Sequence, residues 1–381
     1  MLAHKVGIFF GGKAFKHLIP ELLDLAYWLE KRGNSVVLFT PKKKWVRKYS
    51  RSADFQIEKV KGKPGKLNFN DALKLKAMFK AEDIKTVIFR DPELASVLVT
   101  TKYLRKGRLS LVFLQVRGIN GISNDALNTF RFSQLDAWIT PLNATGNDVR
   151  NETNIDSEKV HVVQYPLQLN KLSNNPKSVL KQRKKRKIPN DLMVIGLSLD
   201  GDEISNDLKM LVTSISKSDL LREKAFILIS IHHHEKQKKL TKELDELLIA
   251  NNVFGMVLHT PTEKKLTKTL SVSDALFLIP ELEPFSGIGK MGLAGGIPCI
   301  APYSLTTSEI LNNGEFGILY NRNSVEDLQN KLIEFTESSD IKDKFRDIQS
   351  DAVRNTADIQ KFCENLENII SSIPEADKAL Y

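Results

Sequence analysis

The sequence predicts an α/β protein of two domains, each built on a parallel sheet, the two facing each other across a cleft. Three observations lead there. Short apolar runs alternate with stretches of helical apolar spacing along nearly the whole chain, as repeated βαβ units require. The length, 381 residues, exceeds one ordinary domain of roughly 100–200 residues. Near the middle, residues 171–187 hold eight Lys and Arg and no Asp or Glu, a polar break between two similar halves.

The first half begins with an apolar run at 6–10, the pair Gly11-Gly12, and then Leu18, Leu22, Leu25, Ala26 and Leu29 at helical spacing. Gly33 turns the chain into a second run at 36–39, which completes a strand, helix, strand unit. Runs at 87–89, 111–114, 137–139 and 160–163 continue the sheet. Beyond the basic stretch, strands are expected at 192–199, 225–231, 253–258, 275–278 and 298–300. The resulting division is a first domain at 1–170, a basic linker at 171–190, a second domain at 191–355, and a closing helix at 356–381 that returns toward the first domain.

No apolar run approaches the 20 or so residues of a membrane span, and the opening residues carry no signal-peptide pattern. Two cysteines, Cys299 and Cys363, cannot make a disulfide framework and suit a reducing cytoplasm. Residues 1–170 carry 28 basic and 16 acidic groups, whereas 188–381 carry 20 and 30. A cationic first half favours an anionic surface or polymer as its partner. Lys42, Lys43, Lys44, Trp45, Arg47, Lys48 and Tyr49 concentrate that charge beside two aromatics, a mixture that suits an anionic membrane face, with a solvated basic loop as the alternative. Nucleic acid is disfavoured because no nucleic-acid-binding signature accompanies the charge. His232, His233 and His234 are adjacent, so their side chains diverge, and no Cys or carboxylate stands at zinc-motif spacing; no metal is expected.

The most informative segment is Glu281-Leu282-Glu283-Pro284-Phe285-Ser286-Gly287-Ile288-Gly289-Lys290-Met291, running on to Pro302 and followed by Ser308-Glu309-Ile310, Asn313-Gly314 and 317–320. A strand, a glycine-rich turn and a helix in that order aim backbone N–H groups at an anion; a turn that uses glycine only for packing is the other reading. The segment resembles family-4-type retaining glycosyltransferases of the two-Rossmann-domain GT-B class, whose pattern is E-P-F-G, four residues, then E-A-x-A-x-G-x-P-V. Residues 271–280, 135–141 and 158–163 are also similar to that family, so the resemblance covers most of the chain. It implies a hexosyl-type transferase that takes a nucleotide-sugar co-substrate, needs no cofactor or metal, and serves a glycan, lipid-linked or protein acceptor in glycan biosynthesis.

Residue by residue, the resemblance implies that Glu283, expected as an accessible site carboxylate, accepts hydrogen bonds from the donor sugar. Phe285, Ser286, Gly287, Ile288, Gly289 and Lys290 would lie along the diphosphate, and Gly12 would face the donor from the first domain. Arg131, in Asn128-Thr129-Phe130-Arg131, falls where some relatives bind a phosphate or acceptor, with a structural ion pair as its alternative. Departures are as specific. The family's ribose carboxylate falls on Met291, and its diphosphate cations fall on Ser198 and Glu203. Two charge-assisted hydrogen bonds at about 1.5–3 kcal/mol each correspond to roughly 10²–10⁴ in affinity. A catalytically silent relative that binds a partner or carbohydrate is therefore the alternative, and a Glu203→Lys, Met291→Glu pair is expected to restore donor affinity. The expected location is cytoplasmic, peripheral on the inner membrane face.

Overall fold

The computed structural model describes residues 5–10, 19–41, 43, 46–47, 55–60, 69–116, 118, 126–166, 176–199, 203–231, 237–261, 270–338, 340–341, 345 and 358–374. Contacts divide the chain into two compact units, Met1–Pro166 with Asp358–Tyr381, and Leu167–Ala357.

In the first unit, seven strands form one sheet: β1 (Lys5–Phe9), β2 (Val36–Thr40), β3 (Gln56–Lys59), β4 (Ile84–Phe89), β5 (Ser110–Leu114), β6 (Ala137–Thr140) and β7 (Val160–Val162). The helices between them are α1 (Ile19–Lys31), α2 (Phe69–Ala81), α3 (Ala95–Leu104), α4 (Ala126–Ser133) and α5 (Asn143–Glu152). All pairings are parallel, in the order β3-β2-β1-β4-β5-β6-β7. Successive side chains of a strand point to opposite faces. In β1, Val6 and Ile8 therefore join Leu22, Leu25 and Leu29 of α1, while Phe9 joins Phe39 and Phe79 on the other face. Its ring stacks on Phe39 at 4.9 Å and meets Phe79 edge-on at 6.0 Å.

The last helix described, α14 (Ile359–Ser372), belongs to this unit and completes its core. Phe362, Cys363, Leu366 and Ile370 pack with α1. The buried Glu367 pairs with Arg32 at 2.7 Å and accepts from Asn34 Nδ2 at 3.3 Å. Helix and turn are thus fastened by one carboxylate.

The second unit starts with α6 (Pro176–Lys185) and carries β8 (Met193–Leu199), α7 (Asn206–Ser216), α8 (Asp219–Lys224), β9 (Ala225–Ile231), α9 (Gln237–Ala250), β10 (Val257–Pro261) and β11 (Ala275–Phe277). It continues through α10 (Glu283–Ser286), α11 (Ile288–Ala294), β12 (Cys299–Pro302), α12 (Leu305–Ile310), β13 (Gly317–Tyr320) and α13 (Val325–Glu337). Its sheet is parallel in the order β10-β9-β8-β11-β12-β13. Leu211, Leu244, Leu332 and Phe335 cover one face.

The segment expected as a basic linker holds a helix instead. Pro176 suits the first turn of a helix, where its missing N–H costs nothing. Arg183, 6% exposed, donates from Nε and Nη2 to Val272 O and from Nη2 to Asp274 at 2.8 Å. Asp274 also accepts the Val194 N–H at 2.7 Å, so α6 is tied to two strand ends. Strand β10 begins four residues later than its apolar run: Phe254–Met256 forms a 3-10 turn, and the strand ends on Pro261, tolerated because β10 lies at the sheet edge.

Candidate functional site

The chain leaves β11 and turns sharply between the sheet and α11. Glu283 N–H donates to Ile279 O at 3.1 Å, and the four-residue α10 is closed by Gly287 N–H on Glu283 O at 3.3 Å. Gly287 is left-handed, φ 64° and ψ 14°, a conformation that side chains resist. This reversal brings the start of α11 back over Glu283.

Glu283 is 4% exposed, and its Oε2 accepts the Gly289 N–H at 2.7 Å. A Cβ at Gly289 would stand 2.9 Å from that oxygen and 2.8 Å from Leu278 Cδ1, so glycine is what lets the carboxylate approach. Two expectations change here. Glu283 is a buried carboxylate rather than an accessible one, and the Gly289 amide, expected along a diphosphate, is committed to it. The charge of Glu283 favours this bond, worth about 1.5–3 kcal/mol.

Two further charges surround the turn. Lys290 is half-buried, and burial lowers its pKa against the opposite pull of Glu309 and Glu283. Glu309 arrives on α12, where the neighbouring Ser308 hydroxyl is buried without a hydrogen-bond partner among the described residues. Ser198, next to last in β8, is in the same condition. Ile288 and Met291 face the core, and Phe285 is half-buried. Met291 is 8% exposed. Met291→Glu would therefore bury a carboxylate, which is costly unless a partner meets it. Glu203 is exposed.

Other sequence candidates fall elsewhere. Arg131 stands in the last half of α4, with Nη1 donating to Asn128 Oδ1 at 3.1 Å. Because α4 runs antiparallel to its strands, that half approaches the N-terminal sheet edge, where Phe130 meets Tyr103 near the end of α3. Ligands of parallel sheets bind at the opposite edge, so Arg131 is poorly placed for a phosphate or acceptor. Gly11, Gly12, Lys42, Lys44, Trp45, Lys48, Tyr49 and the three histidines lie outside the described residues; of the basic cluster, Lys43 is half-buried and Arg47 exposed. Ser286 is the last residue of α10. Among the described residues, no group of three or more His, Cys, Asp or Glu is placed for a metal ion, and no helix is long and apolar enough to cross a membrane.

Two charged groups escaped the sequence reading. Arg322, beyond β13, donates Nε and Nη2 to Asp207 at 3.2 and 2.8 Å and also pairs with Glu281. Asp207 is 1% exposed, and burial raises its pKa even with Arg322 beside it. These partners come from a helix N-terminus and two turns far apart in sequence, so spacing gave no signal. The second group, Arg90-Asp91, directly follows the apolar run of β4 with both residues buried, and two adjacent charges at a strand end were a usable signal.

Comparison with solved structures places the fold in a class. A glycosyltransferase from Rickettsia africae matches with a TM-score of 0.77 and 14% identity over 97% of this chain and 98% of its own. Anabaena HepE, solved with UDP-glucose, matches at 0.78 and 13% over 97% and 100%. Sucrose-phosphate synthase from Thermosynechococcus elongatus matches at 0.69 and 13% over 97% and 98%. No protein-family model matches the sequence, and no curated protein does. The chain therefore has the GT-B glycosyltransferase fold, two Rossmann-like units with parallel sheets.

Proposed function

We propose that this protein is a glycosyltransferase that moves a sugar from a nucleotide-sugar donor to an acceptor, with retention of anomeric configuration. The observation that carries the reading is the likeness of almost the whole chain to solved glycosyltransferases, one of them holding UDP-glucose. The donor belongs to the second unit, at the turn between β11 and α11. Glu283 takes the sugar hydroxyls there, while Ser198 and Lys290 meet the diphosphate. Transfer breaks the bond from the anomeric carbon to the diphosphate oxygen, which leaves with the electron pair, and forms one to an acceptor hydroxyl oxygen, whose proton passes to the departing diphosphate. Such chemistry asks the protein chiefly to position the donor, exclude water and stabilise the departing anion. No separate cofactor enters.

The acceptor, a glycan, lipid-linked sugar or protein, is bound by the cationic first unit, and the protein works in the cytoplasm, peripheral on the inner membrane face. The charge of residues 1–170 supports this assignment.

Glu283→Gln tests the site. The amide oxygen still accepts from Gly289 N–H, so the fold should persist, while turnover should fall at least 100-fold with the loss of charge. Wild-type turnover in a folded Glu283→Gln would remove Glu283 from the reaction. Donor binding without transfer to any acceptor would mark a silent carbohydrate-binding relative.

A further inference from the structure

Arg322 and its two carboxylates stand on three segments that meet at one end of the second sheet. Asp207 is in the first turn of α7, Glu281 follows β11, and Arg322 lies just beyond β13. The strands run parallel, so this is the C-terminal edge, where sheets of this kind hold their ligands. Arg322 Nε and Nη2 reach the Asp207 carboxylate at 3.2 and 2.8 Å, a fork that fixes the plane of the guanidinium as well as its place. Nη2 also donates to Glu281 Oε1.

The two carboxylates differ in burial: the Asp207 side chain is 1% exposed and that of Glu281 45%. An exposed ion pair ordinarily contributes little, because two mobile side chains must be ordered to make it. Here the buried Asp207 has already ordered the arginine, so Glu281 meets a fixed donor. Glu281 in turn belongs to the reversal that carries Glu283. Leu282 N–H and Glu283 N–H both donate to Ile279 O, at 3.0 and 3.1 Å, so a shift of the Glu281 backbone carries Glu283 with it. The tolerance at Glu283 is narrow. Its Oε2 accepts the Gly289 N–H at 2.7 Å and would stand 2.9 Å from a Cβ on that glycine.

We infer that Arg322 is a positioning residue for Glu283: anchored on Asp207, it holds Glu281 and thereby sets where the Glu283 carboxylate stands in the turn. The consequence for transfer rests on the glycosyltransferase reading; the link from Arg322 to the hydrogen bond between Glu283 and Gly289 does not.

Hydrogen exchange of the Gly289 amide in the full-length protein reads the link without any substrate, since that amide exchanges when its bond to Glu283 opens. Glu281→Ala removes the link alone and leaves Arg322 on Asp207, whereas Arg322→Gln breaks both contacts. Exchange at Gly289 is expected to quicken at least tenfold in either variant, with the amides of β8 and β9 unchanged in Glu281→Ala. Glu281→Gln, which keeps an acceptor for Arg322, should return most of the protection. With UDP-glucose as the first donor probe, kcat for UDP release should fall at least tenfold in Glu281→Ala at a nearly constant KM. If Arg322→Gln does not fold, Glu281→Ala carries the test. Gly289 exchange equal to wild type in a folded Glu281→Ala overturns the inference, and so does faster exchange spread evenly over the second unit, the mark of general destabilisation. Unchanged kcat in Glu281→Ala, in a protein that Glu283→Gln inactivates, overturns it as well. Faster exchange confined to the turn, in a protein that binds neither UDP-glucose nor any other nucleotide sugar, would leave the link standing and remove the transferase reading. Transfer that depends on Glu283, with Gly289 exchange indifferent to Glu281, would do the reverse.

Discussion

At Glu283 one side chain serves two ends, because the oxygen that holds the turn together belongs to the carboxylate proposed to meet the sugar. Removing it leaves the Gly289 N–H buried and unpaired, which costs about 1–3 kcal/mol. Glu283→Ala should therefore lower stability by that amount in urea unfolding as well as abolish transfer, whereas Glu283→Gln should lose transfer with little of the stability loss. Equal stability of the alanine variant and wild type would contradict the hydrogen bond. The sequence showed the glycine turn and the glutamate but not their contact, since a backbone reversal through left-handed Gly287 is what joins positions 283 and 289. Arg131 shows the opposite failure: its residue type suited a phosphate, yet the direction of α4 takes it toward the wrong sheet edge. The cysteines give a pH prediction. Burial, reinforced by nearby carboxylates, pushes Cys363 up to about 12 and raises Cys299 as well. An unfolded thiol titrates near 8.5, so the stability from keeping Cys363 protonated is whole below about pH 8.5 and is lost as pH climbs toward 12. Neither thiol should react with iodoacetamide at pH 8 in the native protein; rapid alkylation of the folded chain would refute the burial.

Among the elements, those with continuous apolar runs were legible, and those whose character comes from position in the sheet were not. The runs around β8 and β9 are buried on both faces, as parallel central strands must be, and their positions follow directly from sequence. Strand β3 reads Gln-Ile-Glu-Lys, with Gln56 and Lys59 exposed, and stands at the sheet edge; its pairing with β2 defines it more than its composition does. Strand β13 was quoted for its resemblance alone, because 317–320 is too short to declare itself. Helix α6 was hidden by its charge. Seven of its ten residues are polar or basic, a composition that reads as linker, and only the pairing of the buried Arg183 with the half-buried Asp274 reveals its docking. Charge-assisted hydrogen bonds of the kind Arg183 makes are worth about 1.5–3 kcal/mol each. Arg183→Met should therefore destabilise the second unit by about that amount in chemical denaturation, with Lys184→Met as a near-neutral control. Equal unfolding midpoints for the two variants would show that α6 does not depend on the pair.

For the whole molecule, the two-unit α/β architecture was legible because its alternation of strand and helix repeats throughout, whereas the chemistry rests on a few side chains whose partners are distant in sequence. The charge asymmetry yields a salt-dependent prediction. Near an anionic leaflet each Lys or Arg contributes about 1 kcal/mol, so the protein should float with anionic vesicles at low salt, separate from them at high salt, and ignore neutral ones. Equal behaviour with both lipids would leave the basic residues as a solvated face and favour a soluble acceptor. The central claim is that the second unit holds an activated sugar. Calorimetric titration of the full-length protein with a panel of nucleotide sugars tests it most directly. The account predicts saturable binding of at least one donor with Kd at or below about 1 mM, equivalent to about 4 kcal/mol, and competition by the matching nucleoside diphosphate; no binding by any member of the panel at millimolar concentration would contradict it.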